Sequence, residues 1–491
     1  MTADESQTAV SAAGDPGPYR PADTYDEAVY PEGSTRPAYA GTMAALFEAD
    51  LPDLSAACER AATDRDVVFG DDAFTLDPVP RIVEPAEWER IRAGLRQRAR
   101  ALNAFVEDVY GARRAVADGV IPARVVETAN GYEPDLQRSG VPGAWPAGVA
   151  GFDIVRGADG EPRVLEDNLR TPSGMAYVLA ARAIVAGTFP GDVPELRDPG
   201  DELPHLLAGA LSLQRPAEDG TGGVSVLLSD GPGNVAHWEH RRLAEMLGIP
   251  VVQPADLRRD GDRVFVSLDD ADHPVALIYR RTDCDRLRDA EGALTWVGEL
   301  LLEPLLEGTV RCVNSFGTGV GDDKLVHAYV DDLVRYFLDD EPLIRSVPTH
   351  ELGREEVRSD VLGRLPEVVL KPRGGLGGHG VLVGSEADSG ELREAGERVR
   401  SDPEGWIAQD IVQLSTHPTV IGDRLEPRHV DLRPFVFSGP SGVDVLPGGL
   451  TRVAMRQGSL IVNSSQDGGG KDTWVPTAPS TSSEPGRRGL A

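Results

Sequence analysis

The chain has 491 residues, 40% of them hydrophobic and 26% charged, which is typical of a globular protein with roughly two or three packed units. Its net charge of −31 argues against nucleic acid or an anionic membrane as the main partner, but not against an anionic nucleotide held by local cations. Separated cysteines without a CxxC pair argue against disulfides and zinc, and no apolar run is long enough for a transmembrane helix. Because the N-terminus also lacks signal-peptide features, we expect a cytoplasmic protein.

Composition and periodicity predict how the chain is organised. Residues 1–40 are rich in Pro, Gly, Asp and Ala and are expected to be disordered, as is the tail at 476–491. Between these ends we predict a helical segment with a hairpin over 41–220, an α/β unit over 221–320 and an α+β unit over 321–475. The fold class expected from this order is mixed α/β and α+β.

Individual elements follow from the spacing of apolar residues. Helical spacing predicts helices at 85–117 and 172–187. The elements predicted after them, in chain order, are strand 224–229, helix 234–247, strand 251–253, strand 275–281, helix 293–306, strand 310–315, helix 322–338, strand 367–372, strand 380–384, helix 389–400, strand 406–412, and strands 429–437, 443–446, 449–455 and 459–463.

The segment 151–174 predicts a β-hairpin. Alternating apolar runs flank Asp159 and Gly160, a pair typical of a two-residue type I′ turn. With this turn, Ala158 faces Glu161, and the pairing of every residue further out is fixed by counting.

Counting outward brings polar side chains together on one face of the hairpin. Asp153 lies opposite Glu166, and Asn168 is on the same face as Glu166. Opposed carboxylates repel and need a cation, and a few hard oxygen ligands suit Mg²⁺. The hairpin is therefore a candidate metal site, the alternative being a solvated acidic hairpin. A register shifted by one residue would move Glu166 and Asn168 to the other face.

A glycine-rich segment follows Lys371 between two predicted strands. The glycines of this segment are Gly374, Gly375, Gly377, Gly378 and Gly380. Glycines let backbone N–H groups approach phosphate closely, but in a Walker A loop the lysine follows the glycines and precedes a helix. The order here favours a flexible phosphate-binding flap between antiparallel strands over a merely mobile hairpin tip.

Three further segments carry candidate ligand contacts. The strand end from Gln409 through Asp410 and Ile411 to Val412 is suited to bind the edge of an adenine ring through its backbone. Lys324, at a predicted helix start, is a candidate phosphate contact or a solvated helix lysine. Arg433 is a candidate for bidentate binding of a carboxylate or γ-phosphate, with an internal pair to Asp431 as the alternative.

Two charged segments are weaker candidates. Arg280, Arg281 and Asp283 end a predicted α/β strand, where charges often line a ligand crevice. The glycines beside Lys471, in segment 464–474, suggest a substrate loop, with a polar connection as the alternative.

Taken together, these segments resemble the circularly permuted type 2 ATP-grasp family, related to the synthetase domain of glutathionylspermidine synthase. The blocks that carry the resemblance, from about residue 40 to 475, are FDIVRGADGEPRVLEDNLRTPSG, YRRTDCD, NSFGTGVGDDKLVHAYV, VLKPRGGLGGHGV, WIAQDIV, HVDLRPFVF and SSQDGGGKDTW. The resemblance implies a permuted ATP-grasp fold with ATP held between two α+β subdomains. It also implies that 221–320 is a pre-ATP-grasp subdomain and that 321–475 binds the nucleotide.

The resemblance implies roles for individual residues. The implied Mg²⁺ ligands are Asp153, Glu166 and Asn168. The implied ATP contacts are Lys324, Lys371, the flap at 374–380 and the adenine hinge from Gln409 to Val412. Lys371, with the flap amides, would stabilise the transferring phosphoryl group, and Arg433 is the second candidate catalytic residue. In one departure, Gly151 stands where the synthetase relatives carry arginine, so that a phosphate or substrate contact is either missing or supplied by another arginine such as Arg433.

The implied activity is ATP-dependent ligation of a small-molecule or peptide carboxylate to an amine. The reaction would pass through an acyl phosphate, release ADP and phosphate, and use ATP and Mg²⁺. A non-catalytic or regulatory ATP-binding module in a peptide-modifying assembly is the alternative. A kinase that stops at the phosphorylated carboxylate is a third reading. No nucleic-acid or membrane partner is expected, and the sequence leaves the substrates and the oligomeric state open.

Overall fold

A computed structural model describes residues 19–137, 147–213, 223–375, 380–460, 462 and 468–477. The α-helices within this part are α1 Ala40–Glu48, α2 Leu51–Thr63, α3 Pro85–Tyr110, α4 Arg114–Ala117, α5 Ala123–Glu127, α6 Pro134–Gln137, α7 Met175–Thr188, α8 Pro199–Leu213, α9 His237–Leu247, α10 Trp296–Glu307, α11 Val330–Leu338, α12 Glu355–Gly363 and α13 Ser389–Ser401. None of these helices is both long and apolar enough to span a membrane.

The β-strands are distributed along the whole described chain. They are β1 Val68–Phe69, β2 Asp72–Ala73, β3 Leu76–Ile82, β4 Val149–Arg156, β5 Pro162–Asn168, β6 Val224–Ser229, β7 Val251–Val252, β8 Leu257–Asp260, β9 Arg263–Leu268, β10 Ala271–Arg281, β11 Arg311–Val313, β12 Thr349–Glu351, β13 Val368–Pro372, β14 Leu382–Val383, β15 Trp406–Asp410, β16 Thr416–Ile421, β17 Arg424–Arg433, β18 Phe435–Gly439, β19 Gly442–Val445, β20 Leu450–Ala454 and β21 Gly468–Trp474.

The central sheet joins segments that lie far apart in the sequence. Its nine strands run in the order β19-β18-β4-β17-β20-β21-β3, with β5 added to β4 and β16 added to β17. Side chains of β18 alternate between two cores, since Val436 packs with Trp88 of α3 and Phe435 packs with Tyr177 of α7. The predicted hairpin of β4 and β5 is therefore part of a large covered sheet and is not an isolated two-stranded ribbon.

A second sheet has the parallel core predicted for the α/β unit. Strands β7, β6, β10 and β11 pair in parallel, and β9 and β8 extend β10 in antiparallel fashion. Ile278 faces the core formed with α10, whereas Leu277 faces the core that contains Leu243 of α9. Alternate residues thus bury both faces under helices, as a parallel sheet requires.

The smallest of the three main sheets carries the glycine-rich segment. This flap sheet has the antiparallel order β12-β15-β13-β14. One face packs under α12 and α13, where Leu370 and Ala408 meet Val361 and Val399. The other face is turned to the hairpin of the central sheet, and a cleft separates the two sheets. The division of the chain into units at the predicted boundaries stays a prediction.

Most predicted elements are present, with informative differences. The helix predicted at 85–117 ends at Tyr110, where Gly111 follows, and the helix predicted at 322–338 begins with short 3₁₀ turns before α11. In the described part of 459–463 there is no strand, and the glycine-rich segment predicted as a loop near Lys471 is strand β21 instead. Its glycines allow close packing, since a Cβ on Gly470 would lie 2.6 Å from the ring of Phe74.

The N-terminal segment corrects a second expectation. Residues 19–40 lie within the range expected to be disordered, yet they pack on the central sheet. Tyr19 is buried and donates a hydrogen bond of 2.5 Å to Asp26, and Glu27 forms a bidentate ion pair with Arg81 of β3. Glu27 also binds Arg156 at the end of β4. Composition alone missed these buried charges, which require partners from distant strands.

Candidate functional site

The hairpin brings the predicted polar residues together in the predicted register. Asp153 pairs with Glu166, and Gly151 pairs with Asn168 across β4 and β5. The far side of β4 pairs with β17 and β18, so its position is set from both edges. The pairing inferred from turn chemistry is therefore confirmed.

The turn itself differs from the predicted two-residue type. Gly157, not Ala158, faces Glu161, and its N–H donates to the carbonyl of Glu161 at 3.2 Å. Gly160 has φ of 78°, and its N–H donates to the carbonyl of Gly157 at 2.9 Å. A three-residue loop that ends in a left-handed glycine is the next common hairpin type.

A β-bulge restores the register that the longer loop displaces. Ile154 pairs with Val164, but Asp153 pairs with Glu166, so that Leu165 is an extra residue in β5. Without this bulge, Leu165 would occupy the position that Glu166 takes opposite Asp153. The predicted pairing was correct because the longer loop and the bulge shift it by one residue each, in opposite senses.

A cavity of about 330 Å³ lies between the hairpin and the flap sheet. Its apolar lining comes mainly from the flap sheet and the segment after β15, with contributions from β5 and the described residues near 460. The apolar residues are Leu165, Val369, Pro372, Val381, Val383, Ile411, Val412, Leu414, Leu460 and Val462. The polar lining residues are Asp153, Glu166, Asn168, Lys324, Lys371, Gln409, Asp410, Asp431, Arg433 and Arg452.

Two arginines enclose the carboxylate of Asp153. Arg433 binds it through both oxygens, with Nε–Oδ1 of 2.6 Å and Nη2–Oδ2 of 2.8 Å. Arg452 binds Oδ2 at 2.8 Å and also pairs with the buried Asp431. Burial alone would raise the pKa of Asp153, but Arg433 and Arg452 outweigh it and hold this pKa well below its usual range. The carboxylate is thus ionised, and both of its oxygens already have cationic partners.

Arg452 is a site residue that the sequence reasoning missed. It lies in β20, and its neighbours in the run LTRVA are buried. Burial alone would lower its pKa, but Asp153 and Asp431 raise it above its usual range. An arginine within a buried strand is uncommon without a charged partner, and this was the available signal.

A second cluster joins the hairpin to the flap. Lys324 Nζ lies 3.1 Å from Glu166 Oε1 and donates a 2.6 Å hydrogen bond to the carbonyl of Gly375. Burial would raise the pKa of Glu166, yet Lys324 and Lys371 lower it. Lys324 lies between two short 3₁₀ turns and not at the start of an α-helix.

Lys371 points into the cavity without a fixed partner. Among the described residues, no hydrogen bond or ion pair holds its ammonium group, although Glu166 and Lys324 lie near enough to affect it. Burial lowers the pKa of Lys371, and Glu166 opposes this effect. A buried ammonium with unused donors is suited to bind an anion.

Asn168 contributes the remaining polar group of the hairpin face. Its Nδ2 is buried and has no hydrogen-bond partner among the described residues. Within that part of the chain there is also no cluster of three or more His, Cys, Asp or Glu side chains close enough to hold a metal. The oxygen donors that this face offers a cation are Glu166, one oxygen of which is paired with Lys324, and the amide oxygen of Asn168, whereas both oxygens of Asp153 are bound by arginines.

A buried ion-pair cluster supports the hairpin from behind. Asp167, between Glu166 and Asn168, points to the opposite face and binds Arg98 of α3 at 2.5 and 2.8 Å. It also lies 2.6 Å from Nδ1 of His327, three residues after Lys324. Burial would raise the pKa of Asp167, but Arg98 and then His327 lower it. Sequence reasoning missed this cluster, which fixes the hairpin and the lysine segment to one helix.

The remaining predicted ligand residues are distributed as follows. Asp410, Ile411 and Val412 line the cavity, and the carboxylate of Asp410 binds His350 at 2.7 Å. Gly375 lines the same cavity, whereas Gly374 borders a separate recess with Arg124 and Arg373. Gly377 and Gly378 lie outside the described residues.

The other predicted ligand-binding residues lie away from this cavity. Arg280, Arg281 and Asp283 do not line this cavity, and Arg281 is buried against Glu239 and the carbonyl of Pro172. Lys471 is fully buried and forms an ion pair with Asp77 of β3. The suggested substrate loop around Lys471 is therefore corrected to a strand held by an internal pair.

Gly151 leaves no space for a side chain. A Cβ there would lie 2.9 Å from Cβ of Pro172 and 3.8 Å from Cδ of Arg433. The side chain of Arg433 thus passes close to Gly151. That Arg433 replaces an arginine missing at position 151 stays a prediction.

Comparison with known proteins places the fold. A glutathione synthetase-like effector from Globodera pallida, solved in its apo form, has a TM-score of 0.52 at 13% sequence identity. The similarity covers 87% of this chain and 97% of that chain, and it concerns the fold alone.

Sequence relatives extend over nearly the whole chain. A Frankia alni protein named "Putative glutamate–cysteine ligase 2-3" is 44% identical over 474 residues, which are 93% of this chain and 54% of that protein. An uncharacterised protein of Synechocystis sp., sll0335, is 40% identical over 475 residues, or 93% of this chain and 98% of that protein. The chain spans about half the length of the Frankia relatives that it matches.

A family model supplies the assignment. The model of circularly permuted ATP-grasp type 2 proteins matches residues 80–454, which include the hairpin, both lysines, the flap sheet and Arg452. The chain belongs to the circularly permuted ATP-grasp type 2 family.

Proposed function

We propose that this chain is an ATP-dependent carboxylate–amine ligase that forms an amide bond through an acyl phosphate. The observation that carries the proposal is the cavity between the flap sheet and the hairpin, which combines an apolar lining with Lys324, Lys371 and Arg433. The apolar part suits a nucleotide base, and the cations suit phosphates. Family membership supports ATP as the nucleotide.

In this proposal the two lysines bind the phosphates. Lys371 has donors without a fixed partner, and Lys324 binds the carbonyl of Gly375 at 2.6 Å, next to the predicted phosphate flap. Lys324 would exchange this carbonyl, or Glu166, for a phosphate oxygen. The backbone N–H groups of the flap would add further hydrogen bonds.

Glu166 and Asn168 would hold Mg²⁺. Both residues face the cavity, and each offers a side-chain oxygen, the ligand type that Mg²⁺ prefers. Asp153 would join them on releasing Arg433. When bound, Mg²⁺ would neutralise negative charge on the phosphates.

Arg433 would act on the transferring group. Two of its nitrogens bind Asp153, whereas the one partner of Nη1 among the described residues is the carbonyl of Ser173 at 3.5 Å. In the proposed reaction a carboxylate oxygen bonds to the γ-phosphorus, and the bond to the ADP oxygen breaks. The amine nitrogen then bonds to the acyl carbon, phosphate leaves, and the nitrogen loses a proton. Arg433 and Lys371 stabilise negative charge in the first step.

The substrate class rests on chemistry and on the relatives. The Frankia alni protein is named as a ligase of two amino acids, but this chain matches 54% of it. We therefore propose a small-molecule or peptide carboxylate and an amine acceptor, without naming either compound.

The test compares two substitutions in the same hairpin. Glu166→Gln removes a charge from the cavity, whereas Glu161→Gln removes one from the exposed turn. We expect ADP release with mixed amino acids and amines to fall at least about 100-fold in Glu166→Gln and to stay unchanged in Glu161→Gln. Equal rates in the two variants would contradict the ligase proposal. ATP binding without ADP release in the unsubstituted chain would support a non-catalytic nucleotide-binding module instead.

A further inference from the structure

Arg373 lies next to the flap glycines but does not line the cavity. Alternation along β13 would place it on the same face as Lys371. However, β13 ends at Pro372, and a turn follows in which the N–H of Gly375 donates to the carbonyl of Pro372 at 3.3 Å. The side chain of Arg373 is 8% exposed and borders the separate recess beside Gly374. The fold thus gives Arg373 a role other than the phosphate contact that its place beside the glycines suggests.

Each nitrogen of the Arg373 guanidinium already has a partner in the protein. Nε lies 2.8 and 2.9 Å from the two carboxylate oxygens of Asp323. Nη1 donates to the hydroxyl of Thr128 at 2.8 Å, and Nη2 donates to the carbonyl of Val125 at 2.7 Å. Asp323 is buried, so the loss of Arg373 would leave its carboxylate without a cation. The base of the flap is therefore fixed to Asp323 and to the end of α5.

Asp323 in turn holds the backbone that carries Lys324. Its Oδ1 accepts the N–H of Leu325 at 2.9 Å, and its Oδ2 accepts the N–H of Asn130 at 3.3 Å. The backbone carbonyl of Asp323 accepts the N–H of His327 at 3.0 Å. Lys324 thus lies in a turn that is bonded to Asp323 through both its side chain and its backbone.

Two contacts join the flap base to this lysine segment. Arg373 binds Asp323, and the next residue, Lys324, donates to the carbonyl of Gly375 at 2.6 Å. Lys324 and Gly375 line the cavity, whereas Arg373 and Asp323 border the recess behind it. A phosphate that takes Lys324 from Gly375 would leave the ion pair intact. The ion pair is then the contact that keeps the two segments together.

We propose that Arg373 is a positioning residue of the phosphate site, whose ion pair with Asp323 keeps Lys324 directed at the phosphates of the nucleotide. The inference rests on the proposed nucleotide site and adds to it a residue that touches no ligand. A lysine held in place before binding loses less conformational freedom on binding than a mobile one. Loss of the ion pair should therefore weaken the binding of phosphates and leave the binding of the nucleoside unchanged.

The first test measures the affinities of ATP and adenosine by isothermal titration calorimetry. Arg373→Met removes the charge and the hydrogen bonds but keeps an unbranched side chain. We expect its ATP affinity to fall about 10- to 100-fold, a range typical for the loss of a residue that orients a ligand-binding side chain. Its adenosine affinity should stay within about twofold, because adenosine has no phosphate for Lys324 to bind. An equal loss for both ligands, or no loss for ATP, would overturn the inference.

Arg182 of α7 supplies a matched control. Its Nε donates to Oδ2 of the buried Asp472 at 2.9 Å, and its other nitrogens donate to the carbonyls of Arg197 and Thr473. It does not line the cavity. Arg182→Met should lower the melting temperature as Arg373→Met does, but leave ATP affinity unchanged. An equal loss of ATP affinity in the two variants would assign the effect to general destabilisation and overturn the inference.

A double-mutant cycle tests whether Arg373 acts through Lys324. Lys324→Met removes the ammonium group, so the addition of Arg373→Met should lower ATP affinity by a factor at least about threefold smaller than in the unsubstituted chain. Additive losses would contradict action through Lys324. Arg373→Lys keeps a charge beside Asp323 and replaces Arg373→Met in the titrations and the cycle if the latter does not fold. In a folded Arg373→Met, the lysine variant should restore part of the lost ATP affinity.

The outcomes separate this inference from the ligase proposal. The expected loss of ATP affinity in a chain that releases no ADP would contradict the ligase proposal and support the role of Arg373. Release of ADP by a chain whose ATP affinity is unchanged in Arg373→Met would do the reverse. A chain that binds no ATP would contradict both.

Discussion

Asp153 and Arg433 form a bidentate ion pair with distances of 2.6 and 2.8 Å, although 280 residues separate them in the sequence. The pair lies on the cavity wall, and Arg452 closes its other side. A ligand that recruits either partner must therefore break a charge-assisted contact. The two arginines differ in how many of their nitrogens are bound by carboxylates of the protein, and the effects of substitution can measure this difference.

Arg433 and Arg452 are expected to respond differently to the same substitution. The Arg433 side chain is 18% exposed and keeps one nitrogen for the cavity, whereas Arg452 is occupied by two buried carboxylates. Arg433→Lys should lower the rate of ADP release about 10- to 100-fold and cost about 1 kcal/mol of unfolding free energy. Arg452→Lys should cost about 3 kcal/mol. Urea unfolding and ADP release measured on both variants would check this, and an equal stability loss would contradict it.

Asp167 is expected to stabilise the hairpin far more than an acid at its tip. Asp167→Asn breaks a buried ion pair with Arg98 and should cost about 3–5 kcal/mol. Asp159→Asn removes the partner of Arg163 at an exposed site and should cost at most about 1 kcal/mol. Chemical denaturation of both variants supplies the comparison.

The pH dependence of the Asp167 contribution has a definite sign. Arg98 holds the folded-state pKa of Asp167 below the value of about 3.9 of an unfolded chain. The stabilisation is therefore complete above about pH 4 and is lost as the pH falls further. The difference in unfolding free energy between the unsubstituted chain and Asp167→Asn should shrink as the pH falls below about 4. A difference that grows as the pH falls below about 4 would contradict this assignment.

Lys371 is expected to favour ligand binding at the expense of stability. Burial lowers its pKa, so the charged ammonium destabilises the folded state at neutral pH. Lys371→Met should unfold at an equal or higher temperature than the unsubstituted chain, and its ATP affinity should fall at least about tenfold. Differential scanning calorimetry and nucleotide titration test both parts. A variant that loses stability but keeps ATP affinity would identify Lys371 as structural.

Substitution of Gly151 by alanine should destabilise the fold. A Cβ at this position would lie 2.9 Å from Cβ of Pro172, so Gly151→Ala should cost about 1–3 kcal/mol. Gly187 of α7 is the control, because it is exposed and an added methyl group would meet open space. Gly187→Ala should leave stability unchanged or raise it by up to about 1 kcal/mol. Thermal melting of the two variants tests this prediction. Equal changes in melting temperature would show that position 151 is not tightly packed.

Local sequence patterns predicted much of the fold and the hairpin face. Strand β6 and helix α13 lie where apolar spacing placed them, within a residue at each end. The pairing of Asp153 with Glu166 was also predicted correctly, because the bulge at Leu165 cancels the error in the predicted turn. Element bounds depend on neighbouring residues, which can be read from one chain.

Features set by distant strands were not predicted. Arg452 belongs to the site because β20 lies beside β17, and β17 lies beside β4. Lys471 is internal because β21 lies beside β3, where Asp77 meets it. The bulge at Leu165 likewise depends on the whole hairpin. No local pattern encodes these neighbours, since tertiary packing decides them.

The pairing of one edge of β4 with β17 and β18 has a consequence for synthesis of the chain. Asp153 leaves the ribosome 280 residues before Arg433 and 299 before Arg452. At about 5–20 residues per second, its compensating charges arrive many seconds later. Until then β5 covers one edge of β4 but the other edge has no partner, and an open strand edge of apolar residues is prone to aggregate. Completion of the site is therefore a late event in folding, and chaperone demand should be greatest before residue 454 emerges.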